Sequence, residues 1–309
     1  MENNSMTARV SAFSRAYHST HSIVPIFNDP LARTLLGETE YHAVAQSMTG
    51  GISYFCPGWS GTDEQALRWI VDHCLSATPL ARAAFAEDSL QQAAARGARQ
   101  YLIFGAGLDS FAYRQPAWAS CMTLFEIDLP SQTADKQARV QTAGLSVPDN
   151  LCWISADLSD TGWTDSLTGC TRFDDTRISF CSLLGLLYYL SEADTERLLC
   201  SLGALLPSGS TLVFDYPDAG YAAQQRTHTE LAAASDEAMH TGSSPEEMDA
   251  LLARCGFRIA EDWNADTITE RYFAAHNQAD PMHPMAAQGN VRFCLAVKQY
   301  NCSASDKKS

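Results

Sequence analysis

The chain has 309 residues, with 46% hydrophobic and 18% charged side chains, enough apolar material for a large core and too much for disorder as its main state. Thirty-six acidic residues against 21 Lys and Arg leave a formal charge of −15, which excludes general electrostatic attraction to DNA, RNA or an anionic bilayer. No apolar run approaches the ~20 residues that span a membrane, and Met1 to Val10 is polar, without a secretory pattern, so a cytoplasmic protein is expected.

Residues 1–97 read as a cap of helical pieces. Phe27, Asn28, Asp29 and Pro30 mark a turn into a helix. A longer helix is predicted from Thr78 as N-cap and Pro79 at its first position to Arg96, with Gly97 as a left-handed stop. Residues 98–300 form the core, and from residue 100 the pattern becomes strand, turn, helix. Apolar runs at Tyr101 to Phe104, Met122 to Ile127, Leu151 to Ile154 and Ile178 to Leu190 predict four strands. A helix then begins at Ser191, with Leu198, Leu199, Leu202, Leu205 and Leu206 on one face. Thr211 to Asp215 predicts a fifth strand, Ser244 to Gly256 a capped helix, and Ile259 to Trp263 and Val291 to Lys298 the last strands.

Nearly continuous apolar strands alternating with helices imply a doubly wound α/β fold, its parallel sheet covered on both faces. Pro217 to Ser243 and Asn264 to Asn290 are long for connections, and both are expected to cover the site as a lid. Residues 301–309 read as a disordered tail. Ten cysteines are scattered without a CxxC, and Cys181, Cys200 and Cys294 sit inside apolar runs, so buried free thiols are expected.

In such sheets ligands bind at the carboxyl ends of the strands. Gly105-Ala106-Gly107 follows the first core strand, and two glycines there let backbone approach a ligand closely. Twenty-one residues after Gly107, Asp128 closes the second strand, at the spacing of a carboxylate that accepts ribose hydroxyls. Glu126 points to the same face as Asp128, and either could serve. Asp157, just past the third strand, could accept a hydrogen bond from an adenine amino group or cap a helix. Ser110 stands where a dinucleotide fingerprint has its third glycine, and Asp109 would repel a phosphate. Both count against a nicotinamide dinucleotide and favour a nucleoside ligand without phosphates, such as S-adenosylmethionine.

The segments QYLIFGAGLDSFAYR (100–114), FEIDLP (125–130), Ala156-Asp157-Leu158 and LGLLYYL (184–190), with SAFSRAY (11–17) and FNDPLA (27–32), resemble the leucine carboxyl methyltransferase family, which includes bacterial relatives linked to polyketide O-methylation. The resemblance implies a Rossmann-like, seven-stranded class I methyltransferase sheet with an antiparallel last strand, and S-adenosylmethionine as cofactor. By the same resemblance, Gly105, with Ala106 and Gly107, lies against the cofactor's methionine part, Asp128 holds the ribose, and Asp157 and Leu158 flank the adenine. Arg82 pairs with the cofactor's carboxylate, and Arg15 matches a second basic position near it. One position departs from the pattern: Leu184 stands where relatives usually carry Glu.

The expected reaction is in-line methyl transfer to a carboxylate or hydroxyl oxygen of a small molecule, polyketide-like or otherwise, or of a protein C-terminus. Alternatives are a nicotinamide-dependent oxidoreductase and a non-catalytic scaffold on the same fold. Substrate-pocket candidates are Tyr17, Tyr188, Tyr189, Tyr216, Tyr221 and Tyr272, with Arg271 or Arg292 for an acidic substrate and His18 or His228 as bases. No catalytic base is assigned. His276 and His283 lie in a His/Pro/Met-rich stretch without a completing ligand set, so no metal is expected.

Overall fold

A computed structural model of the protein describes residues 6–220 and 242–300. Its centre is a seven-stranded sheet in the order β3-β2-β1-β4-β5-β7-β6. The strands are β1 (Gln100–Phe104), β2 (Thr123–Asp128), β3 (Leu151–Ser155), β4 (Ser179–Leu183), β5 (Thr211–Pro217), β6 (Phe257–Trp263) and β7 (Val291–Lys298). The first five run parallel, and β7 lies antiparallel between β5 and β6. β1, β4 and β5 are buried along their whole length, which explains their unbroken apolar runs. The edge strand β6 is partly exposed and carries an irregularity between Ile259 and Glu261.

Side chains alternate between two apolar layers. Tyr101, Ile103, Leu124, Phe180, Val213 and Phe293 face one, covered by helix α2 (Ala77–Ala95), which follows helix α1 (Met6–His21) along the chain. Leu102, Phe104, Phe125, Ile127, Cys181, Phe214 and Tyr216 face the other, covered by α4 (Glu192–Leu205) and α5 (Pro245–Arg254). Between β2 and β3 runs α3 (Pro130–Thr142). A third cluster joins Phe13 and Tyr17 of α1 to Tyr41, Ile70 and Val71, and it includes Leu108 from the loop after β1. The N-terminal helices therefore rest on the glycine loop itself.

Several local expectations change in the folded chain. Thr78 does not cap α2: a π-helical turn, Val71–Leu75, runs almost directly into it, so the backbone is already helical at Thr78. Gly97 stops the helix with φ +107 as expected. The run Ile178 to Leu190 is not one strand, because Gly185 (φ +64) turns the chain after β4 into a short 3-10 turn, Leu187–Tyr189. Cys200 is not a free thiol: it is disulfide-bonded to Cys255, with the Cα atoms 4.3 Å apart. Fifty-five residues separate the two, and α5 packs so closely on α4 that a Cβ at Gly203 would sit 1.9 Å from the Cys255 carbonyl oxygen. Cys181 and Cys294 are buried and free.

The stretch 264–290 packs on the first layer and on the N-terminal cap. Ile268, Phe273 and Met285 are buried in the first layer, and the Asp280 carboxylate lies 3.0 Å from Arg68 of the N-terminal helices. Of the other expected cover, 217–243, residues 221–241 lie outside the described residues, as does the tail. Among the described residues no helix is long and apolar enough to cross a membrane.

Candidate cofactor and active site

The strand order reverses between β1 and β4, so the crevice for a ligand opens at their carboxyl ends. On the β1 side the chain bends through Gly105 (φ +63) and Gly107 (φ +44), two left-handed conformations that glycine adopts without steric penalty. Gly105 donates its amide to Ile127 O at 2.8 Å, which ties the bend to β2. A Cβ on Gly105 would meet the Leu186 side chain at 3.2 Å, so the loops after β1 and β4 already touch across the crevice. Ala106 is buried between the two glycines.

Asp128, at the tip of β2, takes the Gly107 amide on Oδ2 at 2.7 Å and the Leu129 amide on Oδ1 at 2.8 Å. It is partly exposed, and each carboxylate oxygen has lone-pair capacity left for a hydroxyl donor. Burial pushes its carboxyl above the usual range, while the two amides pull the other way. Glu126 is placed differently: it is buried, 2.9 Å from Lys136 of α3 and accepting the Trp153 indole N–H at 3.0 Å. The tertiary structure thus separates two carboxylates that the strand pattern leaves equivalent.

Asp157 is exposed and accepts the Ser159 amide (2.9 Å) and hydroxyl (2.6 Å), so part of its capacity caps its own turn. Leu158 is buried in the second layer beside Trp163 and Phe104. The Ala156 amide donates to Asp128 O at 2.8 Å, which sets the β3 loop directly beside the β2 tip.

Arg82 projects from α2 to the carboxyl end of β5, where its Nη1 lies 3.0 Å from Oδ2 of the fully buried Asp215. Oδ1 of Asp215 accepts the Gly185 amide at 2.6 Å. The Arg82 side chain keeps 18% exposure, and only Nη1 has a partner among the described residues, so Nε and Nη2 remain as donors. Leu184 is partly buried against the same layer. Neither Asp215 nor Gly185 stood out in the sequence. The signal for Asp215 was an acid ending an otherwise apolar strand.

Arg15 is directed inward. Its Nε pairs with Asp29 (2.9 Å), Nη1 reaches Ser11 (3.0 Å), and Nη2 donates to Leu108 O in the glycine loop (2.8 Å). Asp29 also accepts the Ser110 hydroxyl at 2.7 Å, so Ser110 anchors the loop to the cap. Burial would raise the Asp29 carboxyl, but Arg15, Arg114 and the Ser110 hydroxyl together hold it below its ordinary range.

The remaining candidates are dispersed through the fold. Tyr188 and Tyr189 follow Gly185 in the crevice wall; Tyr188 is buried, and burial first and the Asp215 charge second push its phenol well above its ordinary value. Tyr17 is buried in the cap, stacked on His21 at 3.9 Å, and pushed up to about 12 by burial. His18 is buried there too, its Nε2 accepting the Ile26 amide at 2.8 Å, and burial lowers it to about 3. Tyr216 and Arg292 lie on the opposite face of the sheet, bonded to Asp262, so they do not meet Arg82. Arg271 lies over the Trp263 ring, Tyr272 bonds Asp88, and His276 and His283 are tied to Val24 O and Asp280. Tyr221 and His228 lie outside the described residues. Among the described residues no group of three His, Cys, Asp or Glu could hold a metal ion.

The sequence profile of the family described as leucine carboxyl methyltransferase matches residues 8–203. A protein of Bacillus subtilis (strain 168), YktD, named as a candidate S-adenosyl-L-methionine-dependent methyltransferase, is 33% identical over 306 residues, covering 96% of this chain and 98% of its own length. A similarly named protein of Mycobacterium marinum is 33% identical over 222 residues, covering 71% of this chain and 68% of its own. Among solved structures, a candidate methyltransferase from Thermobifida fusca YX superposes with a TM-score of 0.55 at 16% identity, covering 95% of this chain and 94% of that one. A DUF574 family protein from Streptomyces avermitilis superposes with a TM-score of 0.54 at 18% identity, covering 81% and 96%. These two likenesses show the fold.

Proposed function

Because the chain belongs to the leucine carboxyl methyltransferase family and is an S-adenosylmethionine-dependent methyltransferase, we propose that it methylates an oxygen, a carboxylate in preference to a hydroxyl, on a small organic acid. The crevice residues suit the donor. Asp128 offers acceptors for two ribose hydroxyls, the Gly105–Gly107 bend admits a ligand close to backbone, and Arg82 presents free N–H donors to a carboxylate. Asp157 and Leu158 stand beside them at the β3 tip for the adenine. Arg15 has the glycine loop as its partner and supports the site from below. S-adenosylmethionine supplies an electrophilic methyl group on a sulfonium. The protein's share of an in-line displacement is to align the acceptor and exclude water.

The preference for a carboxylate is supported by two groups among the described residues, neither of which is free to act as a base. A hydroxyl acceptor needs a base, whereas a carboxylate is already ionised at neutral pH. Tyr188 is held protonated by burial, and the lone pair of His18 Nε2 is committed to the Ile26 amide. A polyketide-derived acid and a protein C-terminus both satisfy this requirement; tight packing of residues 264–290 against the cap favours the smaller acceptor.

Labelled S-adenosylmethionine incubated with matched panels of carboxylic acids and alcohols tests the reading. Label in base-labile esters is the expected result. Label only in ethers or amines overturns the acceptor, and no calorimetric heat with S-adenosylhomocysteine at millimolar concentration overturns the donor site and favours the scaffold.

A further inference from the structure

We infer that Asp215 is a positioning residue for the amino-acid end of the methyl donor, acting through Arg82 without touching the ligand; this rests on the donor site proposed above. Asp215 is fully buried and spends its two oxygens on Arg82 Nη1 (3.0 Å) and the Gly185 amide (2.6 Å). Gly185 completes the device. Its φ is +64, and a Cβ there would lie 2.5 to 2.8 Å from the guanidinium atoms of Arg82, so only a hydrogen leaves room for the guanidinium against the turn.

An arginine on a helix surface samples many rotamers, and a ligand that captures one orientation loses that freedom as binding energy. Here the Asp215 carboxylate takes Nη1 and the Gly185 turn confines the plane, which leaves Nε and Nη2 aimed in one orientation before any ligand arrives. The register places this corner at the mouth of the crevice: Leu183 of β4 pairs with Phe214 of β5, so Asp215 and the Gly185 turn lie just beyond the paired ends of adjacent strands. The three residues are 30 to 133 positions apart in the chain and meet only through the sheet and α2. The Asp215 carboxylate also cancels the charge of Arg82, so the corner attracts a carboxylate by directed hydrogen bonds rather than by net charge.

Two ligands that share the adenosyl group separate positioning from folding: S-adenosylhomocysteine, which has the amino-acid end, and methylthioadenosine, which lacks it. Calorimetry on the whole chain should show D215N binding S-adenosylhomocysteine about tenfold more weakly, with methylthioadenosine affinity unchanged. G185A, which displaces the guanidinium and leaves the carboxylate in place, should reproduce that selective loss and carries the test if D215N does not fold. Equal weakening toward both ligands, or none toward either, overturns the positioning role while the donor site stands. A wild-type chain that binds neither ligand overturns the donor site and the inference with it.

Discussion

The Asp128 carboxylate and the Gly107 amide are joined at 2.7 Å, so the acid at the tip of β2 and the bend after β1 are one unit. The acid a ribose would meet also sets the conformation of the loop a methionine chain would lie against. Its loss should disturb both contacts.

Asp128→Ala is expected to weaken S-adenosylhomocysteine binding by ~1–3 kcal/mol, the range for lost hydrogen bonds to a charged group. Asp128→Asn should recover part of this, because its carbonyl can still accept the Gly107 amide. Burial raises the Asp128 carboxyl, so wild-type affinity should fall on acidification through that raised value, while the Asn variant stays flat in the same window. Calorimetric titrations across acidic buffers check both.

Asp29→Ala should cost ~3–5 kcal/mol of stability, because it leaves Arg15 buried without its counter-charge. The folded carboxyl lies below its ordinary value of 3.8, so its contribution is fully present above that pH and is lost as pH falls through the lower folded value. Urea unfolding at neutral pH and in acid measures the effect.

His18 carries the opposite proton balance to an ion-paired histidine. Its folded value is about 3 against 6.5, lowered by burial first and then by His276 and Arg68. Between those limits the unfolded chain binds the extra proton, so stability declines as pH drops below 6.5. At pH 5 the loss from this group is roughly 2 kcal/mol relative to neutral pH. His18→Asn should be less stable at neutral pH yet show a shallower decline, read from the pH dependence of urea midpoints.

Cys200→Ser, or reduction of the wild type, should lower stability by ~2–4 kcal/mol through the freed 55-residue loop. The bond joins α4 to the end of α5 on the face away from Arg82 and Asp128, so S-adenosylhomocysteine affinity should not change. Guanidinium unfolding with and without a thiol, alongside calorimetry, separates the two outcomes.

Much of the fold was legible because its signals are local. Apolar runs bounded by glycine marked the strands, Ser191 and Ser244 accept the N3 amides of their helices, and Gly97 and Gly144 end helices in left-handed conformations. The glycine bend and Asp128 were legible for the same reason: a strand, a turn and a fixed spacing bring them to one edge of the sheet. The start of α2 departs from its N-cap pattern because that pattern is silent about a preceding helical turn.

Pairs distant in the chain carried no such mark. A composition cannot say that Cys200 meets Cys255, or that Glu126 is spent on Lys136 while its neighbour on the same face stays available. Tyr216 and Arg292 look like pocket residues by type, and strand alternation sends them to the far face.

The amino-acid order alone determined the alternation of strands and helices, the bend at Gly105 and Gly107, and the acid at Asp128, because each depends on backbone preferences and burial within a few residues. Only the folded chain decided that Arg82 is held by Asp215 and confined by Gly185, and that Arg15 supports the loop through Leu108. Those contacts span 30 to 133 residues. Their partners are chosen by sheet order and helix packing, which no short stretch of sequence encodes.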